Sequence, residues 1–267
     1  MPAVVVIAAV AVGVFLWRKA TQGGAEQVPT AMQAPASTAP AHAATTMQHP
    51  IAQAAPAPAS IAPLPALDAS DADTADALLA LAGGHAVDGL LYRDQVIRRI
   101  VATVDALPRQ SVGTNILPVK TPKGAFAVEQ ADGGITLSPR NVERYAPYMR
   151  VLEGVDPKAL VAWYVHHYPL FQQAYRDLGY PKGYFNDRLV AAIDDMLAAP
   201  VPEAPVKLVQ PKVFYRYADA DLEARSAGQK MLMRLGADDE ARVKTRLREI
   251  RALLTGATLP AAAASTR

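Results

Sequence analysis

Apolar and polar positions divide this chain into four stretches. Residues 2–19 hold an unbroken apolar run from Val4 to Trp17 that ends at Arg18 and Lys19. Residues 20–63 have no apolar period, residues 64–256 alternate apolar stripes with turn residues, and residues 257–267 form an Ala-rich tail that reads as flexible. Within the third stretch the spacing is mostly helical. Leu78, Leu79 and Leu81 predict a short helix closed by Gly83 and Gly84, with Ser70 and Asp73 spaced like a capping box. Val96, Ile97, Ile100, Val101 and Val104 predict an amphipathic helix over 92–106 that Pro108 stops. No period runs through 109–121, where Pro118 and the following Pro122 suggest a loop of functional length. Phe126 to Val128 and Ile135 to Leu137, about a turn at Gly133 and Gly134, predict a small hairpin.

Three helices follow. Ser138-Pro139 predicts a capped start for a helix reaching Glu153 with a kink at Pro147. Asp156-Pro157 caps a helix over 157–178, with Val155 and Leu160 placed as a hydrophobic staple. Pro169 should bend or split it, and Gly179 closes it. A third helix over 184–198 turns Leu189, Ile193, Met196 and Leu197 inward. Strand-like alternation occupies 206–217, Ser226 and Gln229 make a capping box for a helix to Leu235, and Asp238, Asp239 and Glu240 open a last helix. Its buried stripe is Val243, Leu247, Ile250 and Leu254. The fold class expected is mainly α with a small β component (α+β). It is a single helical domain with one or two short hairpins, preceded by a transmembrane helix and a disordered linker.

The run at 2–19 reads as a membrane anchor. It is somewhat short of the roughly 20 residues that span a bilayer core, so a signal peptide is the other reading. The lack of a small-x-small cleavage site and the Arg18-Lys19 end favour the anchor, and an upstream start site would lengthen either. The tract 20–63, rich in Ala, Pro, Thr, Gln and Ser with almost no charge, reads as a semi-extended spacer that contributes nothing to the core. Two features contest the orientation. Positive charge after the span favours a cytoplasmic domain, whereas a spacer of this kind suits a domain held away from an inner membrane.

The 267 residues carry a net charge of +2, too little bias to argue for nucleic acid, and no cysteine, which excludes disulfides, thiol catalysis and thiolate metal sites. No nucleophile elbow, Walker loop or dinucleotide fingerprint is present, and no cofactor, metal or catalytic residue is expected. His166 and His167 point about 100° apart on a helix and have no partner at zinc-helix spacing. One is expected to pack at the Pro169 kink and donate to a freed carbonyl, with the other exposed. Asp187, Asp194 and Asp195 are the carboxylates from which an acid/base pair for sugar chemistry would be drawn. Arg242, Lys244, Arg246, Arg248 and Arg251 wrap several sides of the last helix and read as a solvated face.

Ten of the seventeen aromatic residues lie within 145–185, interleaved with amides and guanidinia. The candidate binding residues are Arg140, Asn141, Arg144, Tyr145, His167, Gln172, Gln173, Tyr175, Arg176, Tyr180, Asn186 and Arg188. Rings that stack and amides that read polar edges suit glycan or peptide recognition. The alternative is that the same groups satisfy helix ends opened by Pro147, Pro169 and Gly179.

Four motifs in order carry a resemblance. Tyr168-Pro-Leu-Phe-Gln-Gln-Ala-Tyr-x-x-Leu-Gly-Tyr-Pro181, Phe185-Asn-Asp-Arg-Leu189, Ala218-Asp219 with Leu222-Glu223, and Gly228-Gln-Lys230 with Arg234-Leu-Gly236 resemble the bacterial family catalogued as domain of unknown function 3014. The resemblance covers about 64–254 and implies an N-terminal anchor, a Pro/Ala spacer and one periplasmic domain, with no activity attached. The chain departs from that pattern in lacking basic residues before the span. The expectation is a single-pass inner-membrane protein whose periplasmic domain binds a protein partner or a cell-wall polymer. The alternative is an envelope enzyme acting on peptidoglycan or another glycan.

Overall fold

The computed structural model describes residues 46–84, 89–131 and 133–257. Among them are eight α-helices and one four-stranded antiparallel sheet, which agrees with the mainly helical α+β class. The stretch 2–19 expected to be an anchor, the expected spacer up to 45 and the end of the expected tail lie outside the described residues. No helix among the described residues is long and apolar enough to cross a membrane.

Helix starts are set less by neighbours in sequence than the capping signals suggest. Helix α1 is Asp71–Leu81, but Ser70 has helical backbone angles and its Oγ donates back to Leu67 O at 2.7 Å, so the expected capping box does not form. The carboxylate of Asp71 instead accepts from Gln95 N at 2.7 Å and Val96 N at 2.8 Å. That fork caps α2, Val96–Ala106, which begins four residues later than its apolar rhythm implies because Gln95 sits at a left-handed φ of 51°. The turn at Ser138 does open where expected, yet regular helix begins only at α3, Asn141–Gly154. For α4, Pro157–Asp177, the local reading holds: Asp156 accepts from Lys158 N and Ala159 N at 3.0 and 3.3 Å. Gly179, at φ 115°, then follows the helix in a conformation other residues avoid.

Pro169 does not split α4. The ring removes one helical hydrogen bond, worth about 1 kcal/mol net, while Trp163 and Tyr164 before it and Leu170 and Phe171 after it are all buried. Burial of four such side chains outweighs one lost bond. Helices α2 and α4 pack with α5, Phe185–Leu197, and α8, Ala237–Thr255, around one core. The predicted stripe of α8, Val243, Leu247, Ile250 and Leu254, is no more than 1% exposed at any position. Phe171 lies at the centre, stacked on Phe185 with ring centroids 5.6 Å apart and edge-on to Trp163 and Tyr164.

Strands β1, Val128–Ala131, and β2, Gly134–Leu137, form the expected hairpin. The later alternation supplies β3, Lys207–Val209, and β4, Arg216–Tyr217, and all four join in the order β1-β2-β3-β4. Leu208 ties them together, opposite Ile135 on one side and Tyr217 on the other. A second small core of Leu208, Tyr217 and Met233 lies with them, with Phe126, Ile135 and Leu137 packed against it. Helices α6, Ala220–Glu223, and α7, Ala227–Met233, complete the chain. Ser226 Oγ accepts from Gln229 N at 3.1 Å, but the Gln229 amide reaches Asp195 rather than returning to the cap, so only half of that capping box exists.

Two segments without an apolar period are held against the domain. In 109–121, Val112, Leu117 and Val119 are buried, and Lys120 N donates to Leu90 O and Tyr92 N to Pro118 O. Residues 46–63, expected within the spacer, run across the domain: Ala55 N donates to Leu253 O at 2.8 Å and Ala59 N to Ala162 O at 2.9 Å, while Ile51 packs against the core. Low apolar content argues against autonomous folding, but it does not prevent docking where donors and acceptors on a folded surface meet the strap's backbone.

Candidate functional site

Four of the candidate side chains are primary amides, and three of them, all but the exposed Gln173, are built into a junction. Asn141, 1% exposed, donates to Ala127 O at 2.6 Å and accepts from Ala127 N at 3.0 Å, pairing with that residue as a strand would. Gln172 accepts from Phe185 N and Tyr168 OH and donates to Gly183 O, closing the turn between α4 and α5. Asn186, fully buried, accepts from Tyr164 OH and donates to His49 O at 2.7 Å, so it receives the strap. Beside it Asp187 accepts from Gln48 N and His49 N.

The guanidinia divide. Arg144 donates to Lys123 O, Gly124 O and Asn141 Oδ1, fixing the loop before β1, and burial pulls its pKa down. Tyr145 beneath it is 1% exposed, with its hydroxyl pKa pushed up by burial. Arg188 and Arg109 both bind the buried carboxylate of Asp105, which also accepts from Tyr180 OH; Tyr180 stacks on Tyr175 at 4.6 Å. Arg140, Gln173 and Arg176 are exposed. The twelve candidates therefore fall into a group at the sheet and a group at the α4–α5 junction, with three on the surface. Most of the polar atoms in the two groups already hold partners inside the domain. In the core between these helices, the void lined by Phe171, Phe185 and Leu189 is about 10 Å³, too small for a ligand.

The other candidate chemistry is also engaged. His167 donates from Nδ1 to Trp163 O at 2.9 Å and stacks on the Trp163 ring. The carbonyl freed by Pro169 belongs to Val165, so the bond expected there goes to an acceptor two residues further back. Both His166 and His167 are half-buried rather than one packed and one exposed. Burial holds the His167 pKa below the usual imidazole value. Asp187 holds the strap, Asp194 forms a two-pronged pair with Arg251, and Asp195 accepts from Ser226 and Gln229. Burial raises the Asp195 pKa. On the last helix Lys244 is not part of a solvated face: it is 9% exposed, paired with Glu240 at 2.6 Å and donating to Ala199 O. No cluster of metal-ligating side chains occurs among the described residues.

Two surface openings among the described residues are lined by charged side chains. One, of about 260 Å³ between α2 and the end of α4, is lined by Arg98, Arg99 and Asp177, whose charges are mutually spent: Arg98 pairs with Asp68 and Asp177, and Arg99 with Asp94. The other, about 580 Å³, lies between the loop after α2 and the α6–α7 corner and is lined by Gln110, Ser111, Arg216, Ala220, Glu223, Ala224, Ala227, Lys230 and Arg234. Arg234 is 9% exposed, its guanidinium about 6 Å from the ring centres of Phe126 and Tyr217. Lys230 donates to Glu223 O at 3.1 Å and stands 3.8 Å from Glu223 Oε1, while Glu223 Oε2 accepts from Tyr217 N. Burial, with Arg234 and Arg216 close by, lowers the Lys230 pKa against the pull of Glu223.

Reasoning from sequence missed these cations because they are spread over a strand and a short helix. Two signals pointed toward them: Lys230 on α7 and Arg234 at its C-terminal cap stand four apart, and Gln110 and Ser111 open the loop read as functional. Residues 96–251 match the family described as Protein of unknown function (DUF3014). No curated protein and no solved structure matches the chain.

Proposed function

The chain belongs to the family described as Protein of unknown function (DUF3014), and on that premise we propose that it is a single-pass envelope protein held in a bacterial inner membrane through residues 2–19. Its periplasmic domain binds a protein partner or a cell-wall polymer without transforming it. The observation that carries the binding reading is the 580 Å³ cleft, whose walls come from packed helices and a strand and whose charged groups are cations with a single carboxylate. An enzyme acting on glycan would require a pair of uncommitted carboxylates, and Asp187, Asp194 and Asp195 each have intramolecular partners.

Alkaline phosphatase fused after Leu254 is expected to be active, and activity of a cytoplasm-only reporter at that position would overturn the orientation. Purified cell wall and envelope extract, passed over the immobilised protein, should yield a retained component with an unchanged muropeptide profile. Release of fragments would replace binding by catalysis.

A further inference from the structure

Residues 46–59 of the strap are tied down through their backbone. Asp187 takes the N–H groups of Gln48 and His49, Asn186 donates to His49 O, and Ala55 and Ala59 donate to the carbonyls of Leu253 and Ala162. Ile51 and Ala54 pack against the core and are partly buried. A seat that reads backbone makes no distinction between the strap of its own chain and the identical strap of a second copy.

The link between strap and domain, residues 60–63, is exposed throughout. Within it Ile61 is 98% exposed, the most exposed large hydrophobic side chain among the described residues. To lay the strap on its own domain the chain bends at Ala62, whose N–H donates to Ser60 Oγ at 3.0 Å. Pro63 follows directly, Pro58 and Pro65 flank the link, and the residue before a proline is driven toward extended backbone. The link is therefore built for a straighter path than the one it takes.

We propose that the strap exchanges between two copies of this chain, each laying residues 46–59 in the seat of the other. Fully extended, residues 60–63 reach about 13 Å. In a two-fold pair the two links run antiparallel past each other, which brings the Ile61 side chains together and covers apolar surface that the closed monomer leaves in water. Every bond that seats the strap is remade in the pair. Closed and exchanged forms then differ by the entropy of association, the relief of the bend and the burial at the links, so protein concentration shifts the balance between them. No residue lining the 580 Å³ cleft takes part, and the proposal does not depend on the binding reading above.

The test is photocrosslinking of the full-length protein in a mixture of ordinary copies and copies labelled with heavy nitrogen. Gln53→benzoylphenylalanine places the probe at an exposed position whose carbonyl lies beside Gly256. Links from position 53 to the segment around Gly256 are expected both within one isotope class and between the two. The mixed-class share should rise about threefold or more for each tenfold rise in protein concentration until it saturates. Ile61→Ser should lower that share about fivefold or more at fixed concentration. In dilute solution the same variant should keep its Tm within about 2 °C of wild type, because the side chain touches nothing in the closed form. Gln48→benzoylphenylalanine, read at the segment around Asp187, repeats the measurement if the first probe dislodges the strap. Links confined to one isotope class at every concentration, mixed links only to other parts of the domain, no link to either segment, or a mixed share indifferent to Ile61→Ser would each overturn the proposal.

Discussion

His49 donates its backbone N–H to Asp187 Oδ1 at 2.7 Å, joining positions 138 apart in sequence. With Gln48 N on the other carboxylate oxygen and Asn186 Nδ2 on His49 O, it seats a segment whose composition predicts no attachment. Deleting residues 46–62 should therefore destabilise the domain by about 1–3 kcal/mol, the net of several hydrogen bonds and the Ile51 contact less the entropy of ordering the strap. For a domain of this size that is a fall of about 2–4 °C in Tm per kcal/mol. Gly256 provides a cross-check, since its φ is 65° and a Cβ there would stand 2.5 Å from Gln53 O. Gly256→Ala should cost more in the full chain than in the deletion, where only backbone strain of about 1–2 kcal/mol remains. Equal costs, or an unchanged Tm on deletion, would show that the strap is not docked in solution.

Phe171 is fully buried against Trp163, Tyr164 and Phe185. Phe171→Ala should lose about 3–5 kcal/mol by denaturant titration, from lost burial plus the cavity left in a core whose existing void is small. A loss below about 1 kcal/mol, in the range of surface substitutions, would mean the site collapses or is not packed as described.

Asn141→Ala leaves Ala127 N–H without its partner and removes one of two donors to Ala127 O, which keeps Ser138 N, and Arg144→Ala frees the carbonyls of Lys123 and Gly124. Expected losses are about 1–3 kcal/mol for Asn141, smaller for the more exposed Arg144, and within about 0.5 kcal/mol for the exposed Gln173→Ala. Hydrogen exchange at Ala127 N–H should accelerate in the Asn141 variant and stay unchanged in the Gln173 variant. Equal stability in all three would remove the junction role assigned to the amide.

The His167 pKa is lowered in the folded state, first by burial, with the bond to Trp163 O and the charge of Asp73 acting against it and His166 acting with it. For a base so shifted the unfolded chain binds more protons over the window between the folded and unfolded values. Stability is therefore full above the unfolded value of about 6.5 and falls as pH drops below it. His167→Gln should flatten that part of the curve relative to wild type. A wild-type Tm that rises on acidification through the same window, or a variant with the same slope, would show that His167 is not the group responsible.

The helical stripes were legible because burial on α2, α4, α5 and α8 repeats every three to four residues. Asp156 was legible as a cap because it binds amides two and three positions away. Where a cap crosses the fold, local reading failed: Ser70 looked like the cap of α1, while the carboxylate that matters, Asp71, serves a helix 25 residues on. The polar candidates show the same division. Asn141, Gln172 and Asn186 stood out beside the aromatics, but nothing near them in sequence tells a ligand-reading amide from one that closes a junction.

By itself the sequence determined every helix but the short α6, the first hairpin and membership in a family, since periodicity, Gly and Pro punctuation and short motifs are properties of neighbours along the chain. Tertiary structure decided the rest. It placed Asp187 under the strap, joined two hairpins through Leu208 and drew Arg216, Lys230 and Arg234 around one opening. Hydrogen bonds and charges act over a few ångströms in space, and the strap and Asp187 that they join here lie up to 139 positions apart with no period to announce them.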